Sequence, residues 1–248
     1  MALNGAGLTE SIVHAPRSAA AGYVYRNGMG MVPSAEFLVS FDDFNGPPPV
    51  SDVPWGWLSI LDSGAAITAS VTAATGNTGV LVLTDATASE GAAIYKGANV
   101  QLTVGKKAYM EVRVLIDATI TDTAFYFGWT ALTDVTNPED LWDTSAADLT
   151  VLGITDGSAV LQLTNDTGNA GLTTVAMDAS MVAATWTVLA IGYDGATLRA
   201  YKDGQYIGQN NTTIPVGVAL APFFGHINGN GATGDVASID YWRMVIER

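Results

Sequence analysis

The sequence predicts an all-β fold of two antiparallel sheets packed as a sandwich, and three observations carry that prediction. Residues 186–208 (WTVLAIGYDGATLRAYKDGQYIG) set two Asp-Gly pairs, Asp194-Gly195 and Asp203-Gly204, between runs of β-branched and aromatic residues. Asp-Gly is a strong hairpin signal, because a type I′ turn needs positive φ at both central positions, so this segment reads as a three-stranded meander. Period-two alternation recurs along the chain, and no segment longer than a couple of turns has a helical period. Charged residues make up 14% of the 248, well below the usual share of about 25%. The Lys and Glu that surface helices use are scarce.

The elements follow in order. Residues 1–36 contain Gly5, Gly7, Gly22, Gly28 and Gly30, two prolines and no sustained period, so they read as an irregular N-terminal arm. Tyr23-Val24-Tyr25 and residues 29–32 are apolar enough to pack, either as a lead-in strand and turn or against a neighbouring subunit. The sandwich itself is expected over residues 37–248. FLVSFDDFNG opens it with a short strand, and Pro47, Pro48 and Pro49 then favour an extended surface path.

Residues 66–71 alternate at period two, and 79–84 are nearly all apolar, as in a buried strand. In AYMEVRVLID (108–117), Met110, Val112, Val114 and Ile116 share one face, with Glu111 and Arg113 on the other. AFYFGWT (124–130) reads as an aromatic core strand, and residues 149–164 as a hairpin about Asp156-Gly157. The last strand, 237–247, places Ile239, Tyr241, Arg243 and Val245 on one face. Asp240, Trp242, Met244 and Ile246 fall on the other. PEDLWD (138–143) is the best short helix, with acidic residues suited to a helix start.

Several of these motifs resemble a known fold group. The tryptophan strand at Trp186, the turns Tyr193-Asp194-Gly195 and Tyr201-Lys202-Asp203-Gly204, and the strand at Ile207-Gly208 occur in the order seen in laminin-G-like and concanavalin A-like domains. That resemblance implies a jelly-roll sandwich. AYMEVRV, AFYFGWT and the ending DYWRMVIER also resemble the concanavalin A-like domain of phage virion structural proteins. This second resemblance implies a capsid decoration or cement protein, with the arm strapping neighbours together.

Composition narrows the partners. A net charge of −14 repels phosphate backbones and argues against direct nucleic-acid binding. Without cysteine there are no disulfides and no thiolate metal sites. No run of about 18 apolar residues offers a membrane helix. The first residues lack the basic start and apolar core of a secretory leader, so synthesis in a host cytoplasm and a final place on the virion surface are expected.

The search for chemistry begins with glycoside hydrolysis, which needs two carboxylates about 5 Å apart for retention. The laminarinase-like members of the resembled group carry them on one strand as E-x-D-x-x-E. Set against AYMEVRVLID, that pattern finds Glu111, but Arg113 and Ile116 stand at the other two places. Glu111 and Arg113 are therefore expected to form an ion pair on a shared face. His14 and His226 have no triad companions, and residues 229–234 (GNGATG) lack the Lys-Ser/Thr of a phosphate loop. Asp134, Asn137, Glu139, Asp140, Asp143 and Asp148 offer oxygen ligands, but without EF-hand spacing. Trp55, Trp57, Trp129 and Trp142 are available for a sugar-stacking platform, with core packing the better fit for Trp129, Trp186 and Trp242.

The expectation is then a non-enzymatic chain with no catalytic, cofactor-binding or metal-binding residues. It reads as a virion decoration protein whose partners are a major capsid protein and copies of itself, as a dimer or trimer, with a host glycan left open. The alternative is a carbohydrate-binding, lectin-like module of a tail, fibre or glycan-processing protein.

Overall fold

A computed structural model describes residues 23–25, 31–33, 37–42, 44, 57–62, 65–70, 79–84, 89–116, 120–132, 137–142, 148–168, 171–229 and 236–247. Its strands in chain order are β1 (Tyr23–Tyr25), β2 (Met31–Pro33), β3 (Phe37–Asp42), β4 (Leu58–Leu61), β5 (Ala66–Ser70) and β6 (Val80–Thr84). Then come β7 (Gly91–Tyr95), β8 (Ala108–Ile116), β9 (Thr123–Thr130), β10 (Asp148–Ile154), β11 (Val160–Thr167) and β12 (Thr173–Ser180). The last five are β13 (Thr187–Tyr193), β14 (Leu198–Lys202), β15 (Gln205–Asn210), β16 (Ala221–Asn228) and β17 (Val236–Glu247).

β1 and β2 pair with each other, and the other fifteen strands form two antiparallel sheets. One runs β12-β11-β10-β9-β16-β7-β4; the other runs β15-β14-β13-β8-β17-β6-β5, with β3 also paired to β17. This is the two-sheet jelly roll that the alternation predicts. The inward rows of both sheets meet in one core. Met110, Val112, Val114 and Ile116 of β8 face Phe125, Phe127 and Trp129 of β9, with Leu152, Leu163, Phe224 and Trp242 filling between. Interdigitated inner faces of this kind make the sandwich core.

The meander forms as predicted, but its two turns differ. Asp203 and Gly204 both take positive φ, 50° and 78°, as the I′ turn requires. At the first turn only Gly195 is positive, at 100°, and the Asp194 carboxylate instead accepts the N–H groups of Ala196 and Thr197. A side chain at position 195 would strike the backbone of Gly105 at 2.7 Å, so the turn is glycine for room as well as for φ.

Within residues 1–36, β1 pairs antiparallel with β2, the strand and turn that the sequence left open there. Two expectations are corrected. The helix expected at 138–143 is a single 3-10 turn, Pro138–Leu141. In β17 a bulge between Ile239 and Tyr241 shifts the alternation, and Ile239 joins Trp242, Met244 and Ile246 in the core. The extra residue, Asp240, is thereby left beside Arg113.

Candidate functional site

The outward face of the seven-stranded sheet has an aromatic half and a polar half. On β11 the pattern VLQLTNDT turns Leu161 and Leu163 inward and leaves Gln162, Thr164 and Asp166 outward. Their cross-strand partners on β10 are Gly153, Val151 and Leu149. On β9 the matching outward positions are Tyr126, Gly128 and Thr130, and on β16 they are Gly225, Phe223 and Ala221. Period two alone fixes these rows.

Glycines set the depth of this face. A Cβ on Gly153 would stand 2.6 Å from Tyr126 Cδ1, so the tyrosine ring leans across that bare strand. A Cβ on Gly225 would stand 1.9 Å from Trp142 Cζ3, so the indole lies directly on backbone. The Pro138–Leu141 turn delivers this indole by burying Leu141 completely. Trp142 stacks on Tyr126 (centroids 5.4 Å) and on Phe223 (6.1 Å, 8° between planes), forming an aromatic wall. Burial pushes the Tyr126 phenol up to about 12, so it holds its proton at neutral pH.

The polar wall lies on β11, two strand spacings or about 10 Å from β9. Thr164 shares a 3.0 Å hydrogen bond with Thr174 of β12. Asp166 is 1% exposed, and its Oδ1 has no hydrogen-bond partner. Gln162 is half-buried. These rows are closed to solvent: Tyr126, Trp142, Phe223, Thr164 and Asp166 are each under a tenth exposed, and Gln162 is the more accessible member of the polar row.

The eight-stranded sheet carries the carboxylate singled out in the sequence, and its surroundings differ. Glu111, 5% exposed, accepts hydrogen bonds from Tyr109 Oη (2.5 Å), Tyr241 Oη (2.8 Å) and Arg243 Nη2 (2.7 Å). The expected pair with Arg113 is not formed. Register places Arg243 opposite Glu111, while the β17 bulge brings Asp240 to Arg113 at 2.5 Å. Burial and then the Glu111 charge hold the Tyr109 and Tyr241 phenols well above their ordinary range. Burial opposes the Arg243 charge, but Glu111 outweighs it and the guanidinium is raised. Both carboxylate oxygens of Glu111 thus accept from its own protein, through three donors in all.

The other expected residues fall as follows. Trp57, Trp129 and Trp142 are buried, so no exposed platform forms from them, and Trp55 lies outside the described residues. Trp242 is in the core as expected, but Trp186 is half-buried beneath Arg113, whose Cζ sits 4.7 Å from the ring centre. His226 is fully buried between the sheets, hydrogen-bonded through Nε2 to Thr123 Oγ1 at 3.0 Å. His14, Asp134, Asp143 and residues 230–234 lie outside the described residues. Asp140 accepts the Asn137 N–H and Asp148 accepts the Gly168 N–H. Among the described residues no three His, Cys, Asp or Glu side chains are grouped to hold a metal ion.

No family model matches the chain, and no curated protein sequence does. Solved structures do match in fold. The carbohydrate recognition domain of Emp47p superposes with a TM-score of 0.58 at 12% identity, covering 86% of this chain and 98% of that one. An endo-1,3-beta-glucanase from Streptomyces sioyaensis gives 0.57 at 14% identity, over 87% and 98%. A glycoside hydrolase family 16 endo-glucanase from Bacteroides ovatus gives 0.57 at 12%, over 83% and 99%. The fold is therefore the concanavalin A-like jelly roll, and nothing in these comparisons points to a capsid role. They also correct the expectation of a chain without catalysis, because endo-glucanases share this fold over most of its length. The expectation rested on β8, where Arg113 and Ile116 stand at two of the three carboxylate positions, and there Glu111 is held by Tyr109, Tyr241 and Arg243.

Proposed function

We propose that this chain binds carbohydrate. The observation that carries the reading is the likeness of its fold, over more than four fifths of the chain, to a carbohydrate recognition domain and to glucanases.

A glycan array of glucan, mannan and galactan oligosaccharides tests it. Saturable binding is expected, weakened by Gln162→Ala, the half-buried amide on the outward face of the seven-stranded sheet, and left unchanged by Trp186→Ala on the other sheet. Absence of binding to every glycan, or equal loss in both variants, overturns the reading. Reducing-end release in the same samples shows whether a bound glycan is also cleaved. Attachment to a virion, through a major capsid protein or copies of this chain, is a separate proposal resting on AYMEVRV, AFYFGWT and DYWRMVIER. Co-sedimentation with purified particles tests that.

A further inference from the structure

We infer that the side of the sandwich formed by β12 and β15 is a self-association surface, on which a second copy of this chain docks across a two-fold axis. The inference is independent of the carbohydrate reading and names the surface by which copies meet.

This side is an edge without its usual guards. β12 is the last strand of the seven-stranded sheet, and β15 is the last of the eight-stranded one. Each therefore offers main-chain N–H and C=O groups along one side, a template that proteins normally shield with charge, above all with lysine. Here residues 204–234 hold no Lys, Arg, Asp or Glu, and residues 167–185 hold only Asp178. Lys202 stands where a guard would, but its Nζ donates to Ser180 O of β12 at 2.6 Å. Val175 (37%), Val182 (54%) and Tyr206 (54%) are exposed on or beside these two strands.

The two strands are fixed to each other as one body. At one end Asn210 Nδ2 donates to Leu163 O and Thr173 O, and Asn165 Nδ2 donates to Asn210 O and Thr212 O. Midway, Gly208 leaves room for Met177, since a Cβ there would stand 2.7 Å from the Met177 Sδ. The Lys202 bond to Ser180 closes the other end. A surface so braced loses little freedom when a partner covers it.

Charge selects the partner. At −14, two copies repel each other, and they approach closely only where both are uncharged. A basic partner would settle on the acidic remainder of the molecule instead. The opposite edge, β4, also exposes Leu58 (52%), but Asp62 follows that strand, and Glu90 and Asp140 add like charge near it. On the outward face of the eight-stranded sheet a contact would have to desolvate the ion pairs of Arg113, Arg199 and Arg243. β12 is also compatible with itself. An antiparallel pair centred between Val175 and Ala176 sets Asp178 opposite Thr173 of the second copy, so the one charge does not meet its like.

Sedimentation equilibrium of the full chain at about 0.05 M and about 0.5 M sodium chloride tests the inference. A dimer is expected, tighter at the higher salt, because screening relieves the repulsion between copies. Val175→Glu and Tyr206→Glu are each expected to weaken association roughly 10- to 100-fold, since each brings like charges together. Leu58→Glu on the opposite edge is expected to leave it unchanged. In wild type, the amides of residues 173–180 and 205–210 are expected to exchange hydrogen more slowly as protein concentration rises; should a glutamate variant fail to fold, this measurement decides. Wild type that stays monomeric at both salts overturns the inference. So does association that salt weakens, that neither edge variant disturbs, or that Leu58→Glu disturbs as much. Edge amides indifferent to concentration overturn it as well.

Discussion

Glu111 and Asp166 are both buried carboxylates on outward faces of the sandwich, one on each sheet, and they are treated in opposite ways. Glu111 has two phenols and a guanidinium closed on it, whereas Asp166 Oδ1, across from Leu149, has no hydrogen-bond partner. The first arrangement offsets the cost of removing a charge from water with internal donors. The second leaves that cost standing. Burial alone does not separate the two; the count of filled lone pairs does.

The largest effect that sharpens this contrast is at Arg243. Arg243→Met or Glu111→Leu leaves one member of a buried pair alone, and each is expected to cost about 3–5 kcal/mol in urea unfolding, the range for a buried pair broken on one side. The double variant is expected to recover much of that loss. Additive losses break the comparison, because Glu111 would not then be held by its donors.

Acid addresses both faces from the core between them. Burial lowers His226 to about 4 from its ordinary 6.5, so between those values the unfolded chain binds the extra proton and the native one does not. Stability is therefore flat above about pH 6.5 and falls as pH drops towards 4, by roughly 3 kcal/mol in all. His226→Gln removes that slope. A slope that persists in this variant assigns the acid sensitivity to the carboxylates instead.

Gly225→Ala is the next largest. Its methyl would lie 1.9 Å from Trp142, so the indole must lift, with a loss of about 1–3 kcal/mol from overpacking. Unchanged Trp142 fluorescence would break the account of the aromatic wall. Arg113→Ala is the smallest. Its pair with Asp240 is about one third exposed on both sides, and the change is expected to cost under about 1 kcal/mol with no effect on binding.

Much of the architecture was legible because side-chain alternation and Asp-Gly turns are local signals. Residues 108–116, 123–130 and 148–167 form strands where the pattern places them, and the core face of β8 is the one read from it. The β17 bulge was not legible: one extra residue leaves no mark in composition, yet it swaps Ile239 with Asp240 and redirects Arg113. The outward face of the seven-stranded sheet was half legible. Trp142 is an aromatic in a polar loop, while Gln162, Thr164 and Asp166 look like any solvated strand face. Their parity is written in LQLTND, but the burial of the aromatic half depends on a turn at 137–142 that packs on the distant strands β7 and β16. Glu111 misled for the converse reason, since its donors come from the far end of the chain.

β17 has one further consequence, in time rather than space. It lies between β8 on one side and both β6 and β3 on the other, so residues 37–42 wait some two hundred positions for their partner. Contacts so distant along the chain slow closure, and a nascent chain still lacking the twelve residues of β17 has an unzipped sheet. Closure of this sheet is in effect gated by the emergence of that one strand.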